Sequence, residues 1–158
     1  MSAPPTKKHL LLIWHSQSGR TEALAEAVAA GAAEFGDEVE LRRRRALEAN
    51  LDDLLWAQGL LIGTPENFGY LSGAVKDFLD RTYYPAQGKV DGLPWAMFVS
   101  AGNDGSGAVR ALERIALGYN WRRVAPPLIV QGEVAAHHLE AARELGQTLA
   151  AGLAYGAY

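Results

Sequence analysis

An unbroken apolar run, Leu10-Leu11-Leu12-Ile13-Trp14, leads straight into His15-Ser16-Gln17-Ser18-Gly19-Arg20-Thr21. A helical pattern follows, with Leu24, Val28, Gly31 and Phe35 at i, i+4, i+7 and i+11. A strand buried on both faces thus delivers the chain into a short hydroxyl-rich loop, and the loop opens a helix. The start of such a helix offers unpaired backbone N–H groups at the positive end of its dipole, and together these bind phosphate. Ser16, Ser18 and Thr21 add hydroxyl donors, Arg20 adds charge, and Gly19 lets the backbone approach an anion closely.

The glycine spacing excludes two other phosphate motifs. A dinucleotide fingerprint requires G-x-G-x-x-G and a Walker loop requires G-x-x-x-x-G-K-[ST]; neither is present. The pattern Ser-x-Ser-Gly-x-Thr resembles instead the phosphate loop of flavodoxins and related FMN oxidoreductases.

Beyond a short polar tail over residues 1–7, apolar runs and helical patterns alternate. Strands are expected near 8–14, 37–42, 58–63, 93–100 and 126–131. Helices are expected near 20–35, 46–56, 72–83, 106–117 and 136–152. With 158 residues, one domain over 8–158 accommodates them. Five such alternations predict an α/β fold, a parallel sheet covered by helices on both faces through right-handed crossovers. Glu38-Val39-Glu40-Leu41-Arg42 alternates polar and apolar residues and reads as an edge strand, whereas Leu10–Trp14, Leu60–Ile62 and Ala96–Val99 are continuously apolar and read as central. That assignment suits a three-layer, flavodoxin-like arrangement of five strands in the order 2-1-3-4-5.

In this order the loops after the first, third and fourth strands meet beyond the carboxyl ends of the strands, at the switch point where ligands bind. The second of these loops is Gly63-Thr64-Pro65-Glu66-Asn67-Phe68-Gly69-Tyr70, with Phe68 and Tyr70 as stacking faces, and the third is Ser100-Ala101-Gly102-Asn103-Asp104-Gly105-Ser106-Gly107. A phosphate on the first loop leaves an attached flat ring between the other two.

Gly63-Thr64-Pro65-Glu66-Asn67-Phe68-Gly69-Tyr70-Leu71-Ser72-Gly73, followed by Lys76, Phe78, Leu79, Asp80 and Arg81, resembles the "GTP…FG…SG…K.FLDR" block of FMN-dependent flavodoxin-family oxidoreductases. The Trp-repressor-binding-protein-type quinone reductases carry a similar block. The resemblance implies non-covalent FMN, with its phosphate held by Ser16, Gln17, Ser18, Gly19, Arg20 and Thr21. The ring would be flanked by Thr64, Pro65, Glu66, Asn67, Phe68 and Gly69 on one side, and by Ser100, Ala101, Gly102, Asn103, Asp104 and Gly105 on the other. It implies NAD(P)H as reductant and a quinone, free flavin or similar small molecule as acceptor, stacking at Phe68 and Tyr70. The flavin carries the chemistry, so no side chain is assigned as catalytic. A flavodoxin-type electron carrier and an FMN-binding protein without turnover are the alternatives. The quinone reductases carry a longer, histidine-bearing segment after the fourth strand; here Asp104-Gly105-Ser106-Gly107 runs directly into a helix. Glu66 and Asp104 would place negative charge near the ring and lower its potential.

Composition narrows the rest. There are no cysteines, so disulfides and thiolate-based metal or cluster sites are excluded. A net charge of −3 gives no reason to expect nucleic acid. No apolar run approaches membrane-spanning length, and a cytoplasmic location without membrane insertion is expected. Arg42, Arg43, Arg44 and Arg45 read as a solvated edge. His137 and His138, adjacent on a helix, point about 100° apart and make a poor metal pair. Trp14, Trp56, Trp95 and Trp121 read as core. Asp80 and Arg81 read either as an ion pair or as part of a contact between copies in a homo-oligomer, and Tyr83-Tyr84-Pro85 as the rim of the flavin mouth or an interface.

Overall fold

The computed structural model describes residues 6–158, so residues 1–5 of the polar tail lie outside the described residues. The strands are β1 (Lys8–Trp14), β2 (Val39–Arg45), β3 (Gly59–Pro65), β4 (Pro94–Ala101), β5 (Arg122–Arg123) and β6 (Leu128–Gln131). The helices are α1 (Arg20–Ala33), α2 (Leu51–Trp56), α3 (Gly73–Ala86), α4 (Ser106–Tyr119) and α5 (Ala136–Ala154). All strand pairings are parallel, in the order β2-β1-β3-β4-β5, with β6 also on β4. This is the flavodoxin-like arrangement expected from the apolar runs.

The period-two geometry of the central strands builds both hydrophobic layers. Leu11, Ile13, Leu60, Ile62, Trp95, Met97 and Val99 face α2, α3 and α4. Leu10, Leu12, Trp14, Leu61, Ala96 and Phe98 face α1 and α5. Every residue of β4 is buried. On the second face α1 and α5 cross with their backbones almost touching. A Cβ on Gly31 would run into the Arg143 carbonyl, and one on Gly146 into the Val28 carbonyl, so each helix supplies a glycine where the other approaches.

Several boundaries differ from expectation, among them the end of α3, which runs on to Ala86. The helix expected from 46 begins at Leu51, because Asn50 caps it: its side chain accepts from the Asp53 N–H, and the Asp53 carboxylate accepts from the Asn50 N–H. The strand expected over 126–131 starts only at Leu128, because Pro126 and Pro127 have no N–H to offer β4, and an additional two-residue strand, β5, pairs with the start of β4.

The second strand also runs three residues further than expected, through all four arginines. They are half-buried or exposed edge residues, and each has a carboxylate. Arg42 and Arg44 turn to one face and share the buried Asp53 (3.1 and 3.4 Å), with Arg42 lying over the Trp56 ring. Arg43 and Arg45 turn to the other face and meet Glu26 (2.6 Å) and Glu22 (3.5 Å). Trp14, Trp95 and Trp121 are buried, but Trp56 is only half-buried, between Arg42 and a stacked His9 ring. Asp80 and Arg81 do not pair with each other. Asp80 binds Lys76, while Arg81 binds Asp77 and donates to the carbonyls of Ala46 and Ala49. His138 accepts from the Ala135 N–H at the start of α5.

Gly146→Ala should force α1 and α5 apart. A cost of about 1–3 kcal/mol is expected, read as a lower urea midpoint with an unchanged slope.

Candidate functional site

The loops after β1, β3 and β4 emerge at the same edge of the sheet, and hydrogen bonds fasten them to one another. Thr21, buried in the first turn of α1, bonds through its hydroxyl to that of Ser100 at the end of β4 (2.7 Å). The Glu66 N–H donates to the Ser100 carbonyl (2.8 Å). The Glu66 carboxylate then reaches the start of α4, accepting from the N–H groups of Gly107 (3.0 Å) and Ala108 (3.2 Å). Ser100 is therefore the point where all three loops are anchored.

Within the first loop, Ser16 Oγ accepts from the N–H groups of Gly19 (3.2 Å) and Glu22 (3.1 Å), which curls the chain tightly into α1. Gly19 precedes the helix at φ +96°, a left-handed conformation that suits glycine, and its open side is free of neighbouring atoms. Ser16 takes up the Glu22 N–H, whereas Arg20 and Thr21, at the first two positions of the helix, have no intrahelical acceptor for their N–H groups. An anion placed here would meet these donors and the helix dipole together.

Gln17, Ser18, Arg20, Pro65, Glu66, Asn67, Ser100, Ala101 and Gly102 line a single cleft of about 180 Å³. The structure thus brings together members of all three loops. Other residues singled out from the sequence lie behind it. Ser16 and Thr21 hold the loop from inside, as described above. Thr64 is fully buried, its hydroxyl accepting from the Ser72 N–H and donating to the Pro65 carbonyl. Asn103 is exposed, and Gly105 precedes α4 at φ +74°. Asp104 turns onto Ser106, whose N–H and hydroxyl both donate to it; these bonds hold its carboxyl below the usual carboxylate range.

Asn67 and Tyr70 exchange two backbone hydrogen bonds (2.9 and 3.0 Å) around a two-residue turn in which both Phe68 (φ +53°) and Gly69 (φ +69°) are left-handed. Glycine at 107 lets this turn lie on α4, since a Cβ there would occupy the place of the Gly69 carbonyl. The Phe68 ring stands out fully exposed and Tyr70 is 41% exposed. Tyr83 and Tyr84 lie elsewhere, beside Lys76, Leu79 and Tyr119.

The carboxylate of Glu66 has a task that the sequence did not reveal. One oxygen is committed to the positive end of α4, so its charge is offset there rather than presented whole to a ring. Glu133 was also missed: it pairs with Arg20 at 2.9 Å, with 38% and 92% of the side chains exposed, and a pair so open to water competes weakly with an incoming anion.

The family model described as NADPH-dependent FMN reductase matches residues 37–138. A flavodoxin of Aquifex aeolicus is 37% identical over 62% of this chain and 52% of its own length. A quinone-type NAD(P)H dehydrogenase of Acidithiobacillus ferrooxidans is 34% identical over 62% of this chain and 59% of its own length. The chain thus spans between half and three-fifths of these two relatives. In three dimensions it is similar to an archaeal flavodoxin, with a TM-score of 0.82, 21% identity, and 92% of this chain and 98% of that one covered. The chain belongs to the NADPH-dependent FMN reductase family.

Glu66→Ala should release the first turn of α4 and the turn that leans on it. A loss of about 1–2 kcal/mol is expected by analogy with helix caps, measured by urea unfolding of the cofactor-free protein, and Glu66→Gln should recover much of it through its remaining acceptor oxygen.

Proposed function

We propose that this member of the FMN reductase family binds FMN non-covalently at the three-loop cleft and uses NAD(P)H to reduce a quinone, free flavin or similar small acceptor. The observation that carries the reading is the meeting of the α1 N-terminus with two further loops in one cleft. The donor set there suits a phosphate: a glycine-opened helix start, the Ser18 hydroxyl and the Arg20 guanidinium. At about 180 Å³ the cleft is below the usual size of a whole small-molecule site. It therefore suits the phosphate end, leaving the ring to the open side near Asn67–Tyr70 and Gly102.

Bound FMN would supply the redox chemistry, accepting hydride from the nicotinamide and returning electrons to the acceptor. The protein's part is positional. Ser16 shapes the phosphate loop, Ser100 locks the loops into register, and Glu66 fixes the turn that carries Phe68. Phe68, rigidly placed and fully exposed, offers a face for a planar group.

A single-electron carrier is the second reading, favoured by the likeness to the Aquifex flavodoxin. Anaerobic mixing of the FMN-loaded protein with NADPH separates the two. Bleaching of the flavin supports the oxidoreductase, and its persistence in the oxidised state supports the carrier.

Ser18→Asp should give folded, colourless protein. Losing two charge-assisted hydrogen bonds costs about 10²–10⁴-fold in affinity, and riboflavin should bind the wild type far more weakly than FMN. Stoichiometric FMN in the purified variant, or equal affinities for the two ligands, overturns the phosphate assignment.

Phe68→Ala should cost only about tenfold in FMN affinity, the worth of one stacking contact, while shifting the flavin absorbance. Tyr70→Ala should alter steady-state kinetics with FMN still bound; unchanged kinetics in both variants would remove substrate from this face.

A further inference from the structure

The turn from Asn67 to Tyr70 is a wall between two cavities. Asn67 lines the cleft described above. Tyr70, joined to it by the paired backbone hydrogen bonds, lines a second cavity of about 550 Å³ with Arg110, Ala111, Arg114 and Ile115. This larger space has the size of a small-molecule site, and two guanidinium groups with an aromatic ring stand at its walls.

The arginines here differ from most of the others; Arg122 too forms no ion pair among the described residues, but it lies over the Tyr158 ring. Arg20, Arg42, Arg43, Arg44, Arg45, Arg81, Arg123 and Arg143 all sit on carboxylates. Among the described residues Arg110 and Arg114 form no ion pair. Arg110 reaches only the Ser106 hydroxyl at 3.4 Å, with the charge of Asp104 nearby. Arg114 has no hydrogen-bond partner among the described residues. The two lie four residues apart on α4, hence on one face, about 6 Å along the helix axis. Both are exposed, so the charge is presented to the cavity and not spent in packing.

We propose that Arg110 and Arg114 grip the phosphate groups of the nicotinamide dinucleotide, with Tyr70 against its sugar or base, so that its nicotinamide end is directed over the turn toward the ring. This rests on the oxidoreductase reading. Guanidinium forks match phosphate oxygens bidentately. A quinone or flavin ring, uncharged at these positions, would gain nothing from two such forks. Both the pyrophosphate and the 2′-phosphate of NADPH carry the required chemistry, and suitable probes tell them apart.

The experiment uses FMN-loaded protein and titrates adenosine 2′,5′-bisphosphate and ADP by calorimetry against the wild type, the double variant Arg110→Glu/Arg114→Glu, and Arg110→Lys/Arg114→Lys. The charge reversal should weaken binding by about 10–100-fold with FMN content unchanged, and the lysine pair should fall between. The difference should shrink as salt rises. Loss confined to the 2′,5′-bisphosphate assigns the arginines to the 2′-phosphate, a larger loss for ADP assigns them to the pyrophosphate, and equal loss assigns them to the adenosine-side 5′-phosphate that both probes share. In kinetics the variant should raise KM for NADPH more than it lowers kcat. Equal affinity of the wild type and the charge reversal for both probes, or no binding of either probe, overturns the assignment. If NADPH still bleaches the flavin in that case, the oxidoreductase reading stands without it; if the probes bind through the arginines but neither nucleotide reduces the flavin, the oxidoreductase reading falls and the anion site remains.

Discussion

Strands β1, β3 and β4 have no polar face, and the rest of the molecule follows from burying them. Leu10 to Ile13, Leu60 to Ile62 and Trp95 to Val99 are at most 1% exposed. Such strands must be covered twice, which places α2, α3 and α4 on one side and α1 and α5 on the other. Parallel pairing then sends the three following loops to one edge. The backbone polar groups that arrive there have outrun the sheet and must find other partners. Ser100 and Glu66 serve that need by joining loop to loop. Covering the sheet and assembling the cleft are thus two results of one constraint.

The central strands were legible because burial on both faces leaves an unmistakable apolar run. The three loops were legible because glycine, proline and serine mark where the backbone must turn. The roles of individual loop residues were less legible, since they depend on partners distant in sequence. Glu66 caps a helix about forty residues away, and Thr21 bonds to Ser100 across the sheet. Arg42–Arg45 read locally as a charge run. Only the pairing of β2 with β1 sets their alternation and aims successive side chains at Asp53 on one face and at Glu26 and Glu22 on the other. The late start of the last strand was written in Pro126-Pro127 but is easily overlooked when the flanking residues are apolar.

The turn after β3 is strained at its tip and held from several sides. Its two central residues are left-handed, and for Phe68, which has a Cβ, that conformation costs of the order of 1–3 kcal/mol. The surrounding contacts hold it: a bonded pair at its base, the Glu66 cap beneath, and Gly107 cleared for the Gly69 carbonyl. A partition with an aromatic ring at its tip separates a small cleft suited to one anion from a larger cavity edged by two arginines that form no ion pair among the described residues.

The two margins of the sheet have a further consequence. An exposed strand edge is a template on which another chain can add, and a sheet with so apolar a centre is especially vulnerable to that growth. Here one margin is β2, whose four arginines, held by carboxylates from α1 and α2, give it charged rather than apolar side chains at the edge. The other is interrupted by two prolines, which deny a newcomer a continuous row of donors. The chain therefore confines its most aggregation-prone segments between two edges that resist cross-β extension. That protection belongs to the folded sheet. It is lost whenever β2 or the last strand detaches, so opening at a margin exposes the apolar centre without global unfolding.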